Sequence, residues 1–274
     1  MLIFQYGIII IIVLIITTFI WYRERYVLKV RKYNVYLPNL PETLAGFTVL
    51  HLSDLHGKRF GKCQKKLLHL IRQQQFDLVA ITGDLVNKFW PDIDPAVELI
   101  QNLPDKPVYF VSGNHEWKTG FRHREKLREL GVQILDNKAE MAGYKDGYIW
   151  VLGVDDPHTG RDNLDKALQE AAQESGEPRV PRLLLAHSPN IFPKADDRKI
   201  DLILAGHTHG GQVRFPLVGA VFAPGQGLLP RWDYGKYQAE HSTMIISSGL
   251  GESDLPIRFN IRPEIVLVSL FPAG

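Results

Sequence analysis

The sequence predicts an α/β fold: two β-sheets face to face, helices on their outer faces, and polar loops gathered along one edge. Three observations predict it. Short apolar runs alternate with polar helical stretches through the first half, the βαβ pattern of a parallel sheet. A second set of apolar runs follows, one entered through a hairpin signal at Asp146-Gly147. The third is where these runs stop. Many end at Asp, Gly or His, beyond the strand ends where such sheets collect their functional residues.

The first element is a long apolar helix. No charged side chain occurs from Met1 to Tyr22, and roughly 20 apolar residues suffice to cross a bilayer. The run lacks the basic start and small-residue cleavage site of a secretory leader. It therefore reads as a transmembrane anchor over residues 1–22, with a buried core helix as the alternative. Trp21 and Tyr22 suit the aromatic belt of an interface. The next ten residues, RERYVLKVRK, carry five bases and one acid. Residues 23–44 are expected to be a basic juxtamembrane linker whose cations rest on anionic headgroups. Retention of those cations inside places the following domain, residues 45–274, in the cytoplasm.

Within that domain, 48–52 is an apolar strand and 62–75 a helix with Leu67, Leu68, Leu70 and Ile71 on its apolar side. Strand 78–81, helix 95–103 and strand 108–111 repeat the unit. Helix 122–130 is closed by Gly131, a common helix stop. Residues 132–135 and 138–142 read as short strands and 148–154 as the return arm of a hairpin. A polar helix over 164–173 precedes a Ser-Gly-Glu-Pro loop. Strands 183–186, 202–205, 243–247 and 265–270 complete the second set.

Composition narrows the function classes. The 274 residues are 45% hydrophobic and 23% charged, with net charge +2; this suits a globular domain with a sizeable core. Because the basic run contributes +4, the remainder is slightly acidic and offers no track for a nucleic acid, so no nucleic-acid partner is expected. The lone Cys63 excludes an internal disulfide and a thiolate metal cage, and reads as a filler or surface residue.

Five polar motifs lie at the strand ends: Asp54-Leu55-His56, Gly83-Asp84, Gly113-Asn114-His115-Glu116, His187, and Gly206-His207-Thr208-His209. Each on its own has an ordinary structural reading. In series they form a set of carboxylate, amide and imidazole ligands for divalent cations. Asp54 and His56, two apart at a strand end, can face one cation. Asp84 has two oxygens and can bridge a pair. Two cations can clamp a phosphoryl group and polarise a shared water. The glycines before Asp84, Asn114 and His207 let the backbone turn sharply there.

The order Asp-x-His, Gly-Asp, Gly-Asn-His-Glu, His, Gly-His-x-His resembles the calcineurin-like metallophosphoesterase superfamily, over roughly residues 47–270. Ala186-His187-Ser188-Pro189, the run Gly206 to Gln212, Pro256-Ile257-Arg258-Phe259 and Pro263-Glu264-Ile265 look like its bacterial membrane-associated YkuE/YaeI-type phosphodiesterase branch. The resemblance implies a four-layer α/β/β/α sandwich with a dinuclear centre of manganese, iron, zinc or cobalt. By position, Asp54, His56, Asp84 and His209 would hold one ion, and Asp84, Asn114, His187 and His207 the other. His115 would contact the phosphate and protonate the leaving oxygen, held by a carboxylate such as Glu116. Its ordinary pKa near 6.5 suits a general acid.

Protein phosphatases of this superfamily follow the second motif with a phosphate-binding arginine. Here the run is Gly83-Asp84-Leu85-Val86-Asn87-Lys88, without one. Lys88 reads as a loop residue or a less directional charge. The expected activity is hydrolysis of a phosphodiester or diphosphate bond, and the anchor points to a lipid-linked envelope precursor. By that resemblance UDP-2,3-diacylglucosamine, which some relatives in the branch cut to lipid X and UMP, is the specific candidate. The alternatives are a phosphodiesterase or phosphatase of soluble nucleotides, or an inactive scaffold. The loop 224–237 either borders the substrate or packs on the surface.

Overall fold

Strands buried on both faces read as continuous apolar runs rather than alternating ones, and the central strands are of this kind. The computed structural model describes residues 2–38, 40–171 and 180–274. The strands in chain order are β1 (Lys29–Leu37), β2 (Thr48–Leu52), β3 (Leu78–Thr82), β4 (Val108–Val111) and β5 (Gln133–Ile134). Next come β6 (Lys138–Tyr144), β7 (Gly147–Gly153), β8 (Arg182–Leu185) and β9 (Leu202–Ala205). Two small hairpins follow: β10 (Arg214–Phe215) with β11 (Gly219–Ala220), and β12 (Phe222–Ala223) with β13 (Gly227–Leu228). The last are β14 (Gly235–Gln238), β15 (Thr243–Ile246) and β16 (Glu264–Pro272).

Two six-stranded sheets result, in the orders β1-β16-β2-β3-β4-β5 and β14-β15-β9-β8-β7-β6. In the first, β2 to β5 run parallel while β16 is antiparallel to β2 and parallel to β1. In the second, β15, β9, β8 and β7 run parallel, flanked by antiparallel β14 and β6. The period-two alternation divides each strand between two cores. Val49, Leu78, Ala80 and Val111 meet Leu183, Leu185, Leu202 and Ile245 between the sheets. Leu50, Val79 and Ile81 face helices α2 (Lys65–Arg72), α3 (Asp94–Ile100) and α5 (Arg124–Glu129) outside the first sheet, and the short α4 (Asn114–Lys118) follows β4. Leu184 and Ile203 face α6 (Leu164–Glu170) and α7 (Phe192–Asp197) outside the second. The layers are therefore α/β/β/α, as expected.

The helix expected over 164–173 is seen as Leu164–Glu170; residues 172 and 173 and the Ser-Gly-Glu-Pro loop lie outside the described residues. Cys63 is exposed, in a left-handed turn ahead of α2 rather than on a helix. The largest difference concerns the expected linker. Residues 29–37 are no tether: they form β1, in register with β16 from Lys29↔Glu264 to Leu37↔Pro272. Its alternating charges hid the strand. Only Val35 and Leu37 of β1 are fully buried, the rest lying along a sheet edge.

Helix α1 (Leu2–Tyr26) is apolar all round, and its span Phe4–Tyr26 is long and apolar enough to cross a membrane. Its last turn docks on the domain. Arg25 Nε donates to Glu252 at 3.0 Å, Glu24 accepts from the Ile261 N–H at 3.1 Å, and Lys58 donates to the Arg25 carbonyl at 2.6 Å.

Candidate metal centre

All eight residues singled out in the sequence come together at the carboxyl ends of β2, β3, β4, β8 and β9, and all are buried. The backbone is bent to bring them there. Asp54, His56, Asp84, His207 and His209 have φ of 53°, 49°, 53°, 69° and 51°, in the left-handed region that non-glycine residues rarely adopt. Such conformations persist where surrounding structure enforces them, commonly at functional sites. Two glycines make room. A Cβ on Gly113 would collide with the Asp84 carboxylate, and one on Gly206 with Ser53 Oγ and the Asp54 carboxylate.

Asp84 Oδ2 is central. It lies 3.3 Å from His187 Nε2, 3.6 Å from His56 Nε2 and 3.9 Å from His115 Nε2. On one side of it, His56 Nε2 and His209 Nε2 face each other at 3.1 Å, and Asp54 Oδ1 lies 3.5 Å from the latter. On the other, His187 Nε2 is 3.0 Å from His207 Nδ1 and 3.2 Å from Asn114 Oδ1. The His187 ring is oriented by its other nitrogen, which donates to the Thr82 carbonyl at 2.8 Å. Asp54 is held by the Ser53 hydroxyl at 2.5 Å and the His207 N–H at 3.1 Å.

These donors fit divalent cations. Burial pushes His56 down to about 3 and holds His207 and His209 well below the ordinary histidine range, so their rings are neutral and keep a lone pair. The inward nitrogens of these rings meet only other imidazoles, His56 Nε2 against His209 Nε2 and His207 Nδ1 against His187 Nε2, while His56 Nδ1, His209 Nδ1 and His207 Nε2 have no hydrogen-bond partner. Burial opposes charge on Asp84 and His187 alike, yet their mutual attraction holds Asp84 well below the carboxylate range and His187 well above its own. The cluster calls for positive charge beside Asp84. Potential ligand atoms of Asp54, His56 and His209, and of Asp84, His187 and His207, lie within 4.8 Å of one another.

Glu116 does not hold His115. Its two oxygens accept the N–H groups of Asp84, Leu85 and Gly113 at 2.7–2.8 Å, tying the loop after β3 to the one after β4. The N–H of Lys88 donates to His115 Nδ1 at 3.0 Å instead. In the neutral ring the proton therefore sits on Nε2, the nitrogen facing Asp84 and the cleft. Burial lowers the His115 pKa, against the pull of Asp84.

The cleft above the cluster has a volume of about 360 Å³. Missed in the sequence were His158, which lines the cleft with its ring 4.5 Å from that of His207, and Asp156, which is outside the lining and buried with both carboxylate oxygens unpartnered. Both follow β7, so the strand-end position after Val154 was the available signal. Lys88 reaches the mouth, paired with Asp254 at 2.7 Å. The loop 224–237 splits: Pro224 and Gly225 border the cleft, whereas Trp232 packs on Phe192 and Tyr234 bonds Glu264.

The buried histidine and aspartate cluster at the strand ends of this four-layer sandwich is a candidate centre for divalent cations. The calcineurin-like phosphoesterase family profile matches residues 47–211. YkoQ of Bacillus subtilis, an uncharacterized metallophosphoesterase, is 31% identical over 79% of this chain and 81% of its own. The phosphodiesterase YaeI of Escherichia coli is 30% identical over 84% of both. A zebrafish (Danio rerio) transmembrane protein with a metallophosphoesterase domain is 31% identical over 88% of this chain and 57% of its own. The chain belongs to the calcineurin-like phosphoesterase family.

Proposed function

We propose that this chain is a membrane-anchored hydrolase of phosphodiester or diphosphate bonds, working with two divalent cations. The convergence of six donor side chains around the Asp84 carboxylate carries the reading. Asp54, His56, Asp84 and His209 would hold one ion, and Asp84, Asn114, His187 and His207 the other. When bound, such a pair supplies Lewis-acid charge to the phosphoryl oxygens and lowers the pKa of water between them. The chain's own residues do the rest. Asp84 keeps the two halves of the site together. His115, its Nδ1 occupied by the Lys88 N–H, would present Nε2–H as a hydrogen-bond donor that stabilises the charge developing on the departing oxygen. Lys88 and Lys118 at the mouth add charge that attracts an anionic substrate.

The anchor is α1, supported by its apolar length and by the transmembrane relative. The bases after it favour a cytoplasmic active site. That placement favours a lipid-linked substrate such as UDP-2,3-diacylglucosamine over soluble nucleotides. Full-length protein reconstituted with manganese and given UDP-diacylglucosamine, cyclic nucleotides and simple monoesters tests this. Cleavage of the diphosphate to UMP is expected; turnover confined to cyclic nucleotides would rule the lipid substrate out.

A further inference from the structure

Soluble domains rarely expose a contiguous patch of large apolar side chains unless something covers it. The rim beside the metal cleft exposes a cluster of them. The β10–β11 hairpin carries Leu217 and Val218 at its tip, with Leu217 fully exposed. The β12–β13 hairpin presents Phe222 and Leu228, which are paired across it. The loop 253–259 presents Leu255, Ile257 and Phe259. These pieces join: Val213 bridges to Phe259, and the Phe215 and Phe259 rings lie 6.2 Å apart. Between them is an apolar groove of about 370 Å³ that shares Phe222, Pro224, Ser253 and Asp254 with the cleft.

The position of this rim identifies what covers it. The loop 253–259 is fastened just outside each end to the last turn of α1, through Glu252 to Arg25 and through Ile261 to Glu24. The rim is therefore held beside the point where the apolar helix meets the domain. A cavity of about 230 Å³ opens at the same junction, lined by Arg23, Lys29, Arg31, Arg214 and Arg262. Glu24, Glu264 and Asp233 pair with three of these cations, which leaves an excess of positive charge. Apolar side chains next to clustered cations, at the end of a bilayer-length helix, match hydrocarbon next to anionic headgroups.

We propose that the rim is a second membrane contact, in which Leu217, Val218, Leu255 and Ile257 enter the acyl layer of the bilayer spanned by α1. The mouth of the metal cleft is then seated on that surface. This rests on the reading of α1 as an anchor, and it gives a lipid-linked phosphoester a route from bilayer to metals along the apolar groove without crossing water.

The test uses the full-length protein in vesicles of phosphatidylcholine and phosphatidylglycerol. A fluorophore is attached in turn through Leu217→Cys, Leu255→Cys and, at the opposite pole, Lys145→Cys, each in a Cys63→Ser background. Lipids brominated on the acyl chain near the headgroup should remove most of the emission at 217 and 255 and none at 145. Turnover of bis(p-nitrophenyl) phosphate by the same proteins reports the cleft separately. Unquenched emission at 217 and 255 with turnover intact overturns the membrane contact and leaves the hydrolase reading standing. Cross-linking of one copy to another through position 217, without quenching, overturns it in favour of a second copy. Quenching that persists when turnover is absent supports the contact and counts against the hydrolase reading alone.

Discussion

In the proposed mechanism Asp84 holds the cations and His115 donates to the departing oxygen, and their variants should separate accordingly. Asp84→Ala is expected to lose divalent cation on dialysis, read by elemental analysis, because Asp84 Oδ2 faces His56 on one side and His187 on the other. His115→Ala should keep its metal while kcat falls by roughly 10²–10³, the usual worth of a donor aimed at developing charge. Glu116→Gln should behave as a structural lesion. Replacing one acceptor oxygen by an amide leaves at least one buried N–H of the Asp84–Gly113 junction unpaired, at about 1–3 kcal/mol. Its melting temperature should drop while the kcat of the folded enzyme is largely kept; a loss as large as that of His115→Ala would restore Glu116 to the orienting role expected from sequence. Gly206→Ala should cost about 1–3 kcal/mol through the collision with Ser53 and Asp54. At this scale the sequence was highly legible. Ligand residue types at strand ends mark the cluster, whereas His158 and Asp156 belong to no Gly-led motif and emerge only when β7 is placed beside β8.

At the scale of elements, strands with two buried faces could be read and edge strands could not. Thr48–Leu52, Val108–Val111 and Leu202–Ala205 match their apolar runs because packing on both sides demands such residues. β1 and β14 alternate with exposed polar residues, so their pattern is that of a surface segment. The small hairpins from Arg214 to Leu228 gave no periodic signal; polar tethers place them. Asp233 accepts from Arg214 and Tyr237, each at 2.7 Å. Burial alone would raise its carboxyl, but these two donors outweigh it and hold the pKa below the ordinary value. The resulting stabilisation is complete above the unfolded carboxylate range and is lost as pH falls through the lowered folded value. The protection factors of the Gly219 and Ala220 amides, taken relative to intrinsic exchange at each pH, should therefore fall on acidification in the native protein. In Asp233→Asn they should already be low at neutral pH.

At the scale of the whole molecule, the layer order was legible and the role of residues 23–44 was not. Charge density there suggested headgroup contact, and nothing local announced that the chain's first strand would pair with its last. A chain shortened to begin at residue 45 should aggregate or melt far below the full protein. It loses the buried Val35 and Leu37, each worth about 1.5–3 kcal/mol, and it bares the long edge of β16. Shortening to begin at Val27 should leave a cooperative thermal unfolding transition by circular dichroism.

The helix ends at Tyr26 and the strand begins at Lys29, so two residues are all that separate α1 from the sheet. Under the proposed anchoring, an enzyme mounted so closely would sample a lipid-linked substrate in two dimensions. Its velocity should then follow the mole fraction of substrate within the leaflet. Diluting that leaflet with inert lipid should slow the reaction even when the total amount of substrate in the tube is unchanged.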